Sequence, residues 1–333
     1  MATVVVSVRP GHDAAVVQAE LVARGLWVER LEAGGRVQFV VEPHSQAISR
    51  EALLGIAGVE AAFAGKPAHP RMDAQAGRAV VVAGVAVGGG AAPVVMAGPC
   101  SVESEAHIAA AAARLAAAGV QLLRGGAFKP RTSPYAFQGH GERALGWLRA
   151  AADAHGLAVV TEVMSAEAGP LVAAHADLLQ IGSRNMQNYA LLAAVARLGR
   201  PVLLKRGMSA TVEEWLLAGE YLLVGGAPAV ILCERGVRSF DPSTRNVLDL
   251  GAVALLAHVH RLPVVVDPSH AVGRRDLVPA LARAALAAGA AGLLVETHDD
   301  AGHALSDGPQ ALTTHEMQAL MDGLSKDKEA HRG

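Results

Sequence analysis

The chain has 333 residues, 52% of them hydrophobic and 18% charged, which excludes general disorder. Its 29 Lys and Arg against 31 Asp and Glu leave a formal charge of −2, so no global attraction to nucleic acid or to an anionic membrane is expected. Any anion site must be a local cluster of cations. Two cysteines, Cys100 and Cys233, are too few for a disulfide framework and point to a reducing, cytoplasmic setting. The opening MATVVVSVRP lacks the basic-then-apolar layout of a signal peptide. The uncharged stretch 79–102 is interrupted by Gly88, Gly89, Gly90, Pro93 and Pro99, and it reads as short strands rather than a membrane span.

In chain order, residues 3–8 are a β-branched run and 13–24 show helical apolar spacing through Val16, Val17, Leu21 and Val22. Residues 26–31 alternate like a strand, Gly34-Gly35 makes a turn, and 36–41 alternate again with Val37, Phe39 and Val41 on one face. Ser49 is placed to cap a helix over 50–56, and 59–64 reads as a last strand. The order β-α-β-β-α-β is the split βαβ, or ferredoxin-like, arrangement, over residues 1–67. Residues 68–78 have the composition of a linker.

Residues 79–87 suggest a strand or a small hairpin. Eight apolar runs follow, at 94–97, 120–123, 158–163, 178–181, 202–204, 230–232, 264–266 and 292–295. Between them lie Ala/Leu-rich helical stretches such as 106–117, 145–154, 213–223, 247–259 and 277–288. Short continuous apolar strands alternating with helices predict a parallel sheet covered on both faces. Eight units predict a (β/α)8 barrel over 79–333. The rival, an open doubly wound sheet, lacks a G-x-G-x-x-G after its first strand. The polar tail from Ser325 is expected to fray.

Barrel active sites lie at the carboxyl ends of the strands. Each predicted strand here runs into polar or charged residues, which favours an enzyme over an inert scaffold. Two groups stand out. Cys100, His270, Glu296 and Asp307 follow strands one, seven and eight, and strands eight and one are barrel neighbours, so these side chains can converge. Alone, such a Cys reads as a small buried hydrophobe and such a His as a hydrogen-bonded loop residue. Together, mixed S, N and O donors suit a divalent transition metal acting as a Lewis acid. The second group is cationic, Arg124, Lys129, Arg131, Arg184, Lys205, Arg206 and Arg235, and it implies phosphorylated, anionic substrates. Arg206 and Arg131 are the members most open to the plainer reading of surface ion pairs, and Cys233 is read as structural.

The strings AGPCSVES, LLRGGAFKPRTSPYAFQG, QIGSRN, PVLLKRG, ILCERG, TRNVLD, DPSHAVGRRDLV and ALSDGPQ resemble the 3-deoxy-D-arabino-heptulosonate 7-phosphate (DAHP) synthases. The resemblance is to the shorter, type I-beta branch, in its form with a ferredoxin-like domain ahead of the barrel. It implies condensation of phosphoenolpyruvate with erythrose 4-phosphate, the first step of the shikimate pathway. It also implies a divalent metal, manganese first, with iron, cobalt or zinc as the other candidates.

By that resemblance Cys100, His270, Glu296 and Asp307 are metal ligands. Arg124, Lys129, Lys205 and Arg235 bind phosphoenolpyruvate, and Ser183 and Arg184 hold its phosphate. Arg131 and Thr132 hold the phosphate of erythrose 4-phosphate, and Asp267 is expected near the sugar hydroxyls. Lys129 is the candidate acid for the aldehyde oxygen, and Glu162 the candidate for positioning water. The resemblance further implies a homotetramer inhibited by tyrosine or phenylalanine through the amino-terminal domain. A related alternative is 3-deoxy-D-manno-octulosonate 8-phosphate synthase, whose counterpart of the KPRTS loop contains KANRSS. Lys129-Pro130-Arg131-Thr132-Ser133 argues against it. A non-catalytic ligand-sensing barrel is the alternative of a different class, and retention of both complete groups argues against that.

Overall fold

The computed structural model describes residues 4–42, 44–129, 133 and 135–330, with backbone alone at 33 and 327–330. The chain forms two compact units that divide after Pro70. The expected loop residues Pro130, Arg131 and Thr132 lie outside the described residues.

The first unit has the order β1 (Val4–Val8), α1 (Ala14–Ala23), β2 (Val28–Ala33), β3 (Arg36–Val41), α2 (Arg50–Leu54) and β4 (Val59–Ala64). Its strands make one antiparallel sheet in the order β2-β3-β1-β4. Asp13 and Ser49 cap the two helices by accepting from Ala15 N at 2.8 Å and Ala52 N at 3.2 Å. Of the four apolar residues in α1, Val17 and Leu21 face the core with Phe39, Leu53 and Val59, whereas Val16 and Val22 are exposed.

The second unit begins within α3 (Pro70–Asp73) and continues into a hairpin, β5 (Ala79–Val82) and β6 (Val85–Gly88). The stretch after Pro70 has a linker's composition but is an ordered part of this unit. Arg71 N and Met72 N donate to the Glu220 carboxylate, Val230 N donates to Gln75 Oε1 at 3.0 Å, and the Met72 side chain is fully buried. Tertiary burial here overrides a composition rich in Pro, Gly and polar residues.

The eight apolar runs all form strands: β7 (Val94–Gly98), β8 (Leu122–Arg124), β9 (Ala158–Glu162), β10 (Leu178–Ile181), β11 (Val202–Lys205), β12 (Val230–Glu234), β13 (Val264–Val266) and β14 (Gly292–Glu296). They close into a parallel barrel. The pleat sends Met96, Leu122, Leu203 and Leu294 inward, where Val80, Val82 and Val87 of the hairpin pack against them and plug the barrel. The alternate residues, such as Val95, Leu123 and Leu204, pack outward on the helices.

The helices are α4 (Glu105–Ala117), α5 (Glu142–Asp153), α6 (Gly169–His175), α7 (Tyr189–Ala196), α8 (Val212–Val224), α9 (Leu250–Ala254), α10 (Pro268–Val272), α11 (Val278–Ala287) and α12 (Thr314–Ala330). The predicted helix over 247–259 starts late. Val247 pairs with Val237, and Asp249 caps α9 by accepting from Ala252 N at 2.9 Å; a π turn then covers Leu255–Val259. The tail does not fray at Ser325. Buried Leu320 and Leu324 anchor α12, whose following Lys, Asp and Glu residues are good or tolerable helix formers.

Candidate active site

The register of the closing strand pair builds the first half of the site. β14 pairs with β7 so that Glu296 lies beside Gly98, two residues before Cys100. A Cβ at Gly98 would stand 2.0 Å from Arg124 O, so only glycine lets β7 and β8 approach this closely at the mouth. Asp307 reaches the same place from the loop after β14 in a left-handed backbone conformation, φ 52°. The donor atoms of Cys100, Glu296 and Asp307 all lie within 4.8 Å of one another. His270, on α10 after β13, brings Nε2 to 3.4 Å from Glu296 Oε1.

Hydrogen bonds fix each of these groups. The Cys100 thiol donates to Asp307 Oδ2 at 2.9 Å. Lys129 Nζ stands 2.9 Å from Cys100 Sγ and donates to the Cys100 carbonyl at 2.6 Å. Arg124 Nη1 donates to Glu296 Oε1 at 2.8 Å, and Gln310 holds the other Glu296 oxygen. Asp267 is fully buried beneath His270: Oδ1 accepts from His270 N at 2.9 Å and Oδ2 from His270 Nδ1 at 2.7 Å and from Lys205 Nζ at 2.5 Å. The His270–Asp267 bond fixes the ring and turns Nε2 toward the Cys100, Glu296 and Asp307 group.

Burial pushes the Cys100 thiol up to about 12, with Glu296 and Asp307 adding to the rise. Burial opposes ionisation of Glu296, Asp307 and Asp267, yet each carboxyl is held below its ordinary value. His270 and Arg124 do this for Glu296. The Cys100 hydrogen bond and His270 do it for Asp307, and His270 and Lys205 for Asp267. Two ionised carboxylates beside a thiol and an oriented imidazole form a donor set that fits one divalent transition ion.

Next to this group the mouth opens into a cavity lined by five of the expected cations, Arg124, Lys129, Arg184, Lys205 and Arg235, together with Glu162 and Ser183. Nη1 of Arg235 is buried and has no hydrogen-bond partner among the described residues, as suits a donor aimed at an anionic ligand. Glu162 leans over Gly182, where a Cβ would meet Oε1 at 2.0 Å, and its other oxygen accepts from Gln180 Nε2 at 3.3 Å. Glycine at that strand end leaves the carboxylate room inside the mouth.

Two of the expected residues sit apart from the cavity wall. Arg206 does not line the cavity; it pairs with Glu234 at 2.9 Å and Asp249 at 2.8 Å beneath it. This is the structural pairing to which its place after strand five left it open. Asp267 is fully buried behind the wall, where its oxygens accept from His270 and Lys205. Arg131 and Thr132 lie outside the described residues. Cys233 is fully buried in the barrel interior, as a structural residue should be. Sequence reasoning passed over Arg245, which lines the cavity and donates to Gln310 Oε1 at 3.0 Å. Its signal is the TRNVLD string, but it sits eleven residues past the end of β12, outside a rule that looks only at strand ends.

Comparison with known proteins agrees with this geometry. The chain is 50% identical over 232 residues to a phospho-2-dehydro-3-deoxyheptonate aldolase of Thermotoga maritima, covering 70% of this chain and 69% of the relative. It is 36% identical over 264 residues to a 2-dehydro-3-deoxyphosphooctonate aldolase of Rhodopseudomonas palustris, covering 74% and 91%. The crystal structure of a DAHP synthase from Thermotoga maritima superimposes with a TM-score of 0.78 at 38% identity, over 99% of this chain and 98% of that one. A truncated form of the Thermotoga maritima enzyme matches with a TM-score of 0.70 at 44% identity, over 76% and 92%. The pattern of the DAHP synthetase I family matches residues 68–332. The chain belongs to the DAHP synthetase I family.

Proposed function

We propose that this protein condenses phosphoenolpyruvate with erythrose 4-phosphate and water, giving DAHP and phosphate. The observation that carries this reading is the meeting, at one barrel mouth, of the Cys100, Glu296 and Asp307 donor group, with His270 beside it, and a cavity walled by six cations, Arg245 among them.

Cys100, His270, Glu296 and Asp307 would hold the divalent metal, with manganese first and iron, cobalt or zinc as alternatives, and its chemistry is Lewis-acid polarisation of the aldehyde oxygen. The chain's own residues do the rest. Arg124, Lys205 and Arg235 neutralise the phosphoenolpyruvate carboxylate and phosphate, with Ser183 and Arg184 on the phosphate. Arg131 and Thr132 hold the phosphate of erythrose 4-phosphate. Fixing both anions in one cavity brings the nucleophilic methylene carbon against the aldehyde carbon. As the new C–C bond forms, Lys129 gives a proton to the aldehyde oxygen. Water, positioned by Glu162, adds to the cationic carbon that bears the phosphate ester oxygen and gives up one proton to the Glu162 carboxylate. The C–O bond to phosphate then breaks, the remaining hydroxyl proton passes to the departing phosphate, and the ketone remains. Asp267 acts through His270 and Lys205, orienting one and neutralising the other.

The amino-terminal unit is read as a regulatory domain that binds tyrosine, and phenylalanine more weakly, in a homotetramer. That reading rests on the resemblance of the two-unit arrangement to regulated members of the type I-beta branch.

The ligand assignment is tested by Cys100→Ala. The variant should lose metal-dependent turnover and its tightly held metal, and full activity in it would overturn the assignment.

A further inference from the structure

Behind the mouth, the segments that carry Cys100 and Glu296 continue into a second cluster of donors. Glu103 lies three residues after Cys100, and His298 two residues after Glu296. His107 sits in the first turn of α4, where its N–H caps onto Ser104 Oγ at 3.1 Å. The His107 and His298 rings stack with centroids 4.4 Å apart. One donor atom from each of Glu103, His107 and His298 lies within 4.8 Å of the other two.

The cluster is buried but not internally satisfied. The side chains of His107, His298 and Glu103 are 11%, 8% and 15% exposed. Neither ring nitrogen of His107, nor Nε2 of His298, makes an aligned hydrogen bond among the described residues. Carboxylates nonetheless stand close, with Asp299 Oδ1 3.0 Å from His107 Nε2 and Glu103 Oε1 3.4 Å from His298 Nε2. Arg114, 3.5 Å from the second Asp299 oxygen, offsets one of the two carboxylates. A cavity between α4 and α12, lined by His107, Leu115, His298, Asp299, Met317 and Gln318, gives access from solvent.

Buried nitrogen donors without hydrogen-bond partners, close to carboxylates yet misaligned with them, are what an ion-binding site presents before its ion arrives. We propose that Glu103, His107 and His298 form a second divalent-cation site outside the barrel mouth. Two imidazoles and a carboxylate suit zinc, cobalt or nickel rather than magnesium or calcium. One feature limits its affinity. Asp300 N–H donates to His298 Nδ1 at 3.0 Å, so the neutral ring carries its proton on Nε2. An ion at Nε2 requires that proton to shift to Nδ1 at the cost of the Asp300 contact. The second site is therefore weaker than the mouth. An ion there would link the segment after β7 to the segment after β14 without touching the groups at the mouth.

The test is equilibrium dialysis of the chelator-stripped full chain against zinc, with metal counted per chain in wild type, His107→Ala and His107→Gln, and X-ray absorption on the wild-type protein loaded with two equivalents. The expected result is two zinc ions in wild type and one in each variant, with phosphoenolpyruvate turnover unchanged. The second equivalent should add only nitrogen and oxygen neighbours. One ion in the wild type, two in both variants, or a sulfur neighbour to the second equivalent would overturn the proposal. The absorption measurement needs no variant, so it decides even if a His107 substitution fails to fold.

Discussion

Lys129 Nζ stands 2.9 Å from Cys100 Sγ and 2.6 Å from the carbonyl of the same residue. One ammonium therefore touches the donor group and also lines the cation-walled cavity. It is placed where an aldehyde oxygen directed toward that group would gather negative charge. A methionine there keeps the stem and removes both the proton and the charge. Lys129→Met should lower kcat by about 10²–10⁴-fold, the usual range for loss of a general acid, while leaving metal content intact. Normal turnover in this variant would remove Lys129 from the chemistry.

Asp267 makes a prediction with two readouts. Its carboxylate fixes the His270 ring through Nδ1, so Asp267→Asn should weaken metal affinity by about 10–100-fold, as changes to the partners of ligating histidines generally do. The same group titrates abnormally. Although burial opposes its ionisation, His270 and Lys205 hold it well below the usual carboxylate range, whereas in the unfolded chain it takes a proton near pH ~3.9. A depressed native value means that its contribution to stability is fully present above the unfolded value. That contribution is lost as pH falls from there through the native value. Acid unfolding of the metal-free protein should therefore be less steep below about pH 4 in Asp267→Asn than in wild type. Parallel acid transitions would contradict the pairing.

The segment after Pro70 separates two ways of cutting the chain. Met72 is fully buried, and Arg71 N and Met72 N are donors to the Glu220 carboxylate, which is itself buried. A chain starting at Ala68 keeps these contacts, whereas one starting at Arg78 loses them. The loss is about 1.5–3 kcal/mol of apolar burial and about 1–3 kcal/mol for the undonated carboxylate. For a unit of this size the shorter chain should melt roughly 10 °C lower. The longer one should turn over normally and ignore tyrosine and phenylalanine. Equal melting temperatures would make the segment a linker after all. Inhibition retained without residues 1–67 would take the effector site out of the amino-terminal unit.

Much of this architecture was legible beforehand, for identifiable reasons. Strands such as Leu178–Ile181 and Val264–Val266 are buried on both faces, so each reads as a short unbroken apolar run. The meeting of Cys100 with Glu296 followed from barrel closure, which makes the first and last strands neighbours. What escaped were facts of pairing. Arg206 is as cationic as Lys205 one residue earlier, yet β11 turns them to different partners: Arg206 to Glu234 and Asp249, Lys205 to Asp267 at the base of the mouth. Asp267 was expected near the sugar hydroxyls by resemblance alone, and only its place beneath His270 shows that its carboxylate holds that ring. Met72 sits among Pro, His and Gln residues whose composition suggests a linker, and only the partner surface around Glu220 reveals a latch.

Metal-dependent condensation on a four-carbon sugar phosphate is read out by following the loss of phosphoenolpyruvate absorbance with erythrose 4-phosphate and, in parallel, with arabinose 5-phosphate, each with manganese and with a chelator. Manganese-dependent loss with erythrose 4-phosphate alone, abolished by the chelator, is expected. Loss with arabinose 5-phosphate instead, or no loss with either sugar in folded, metal-loaded protein, would contradict it.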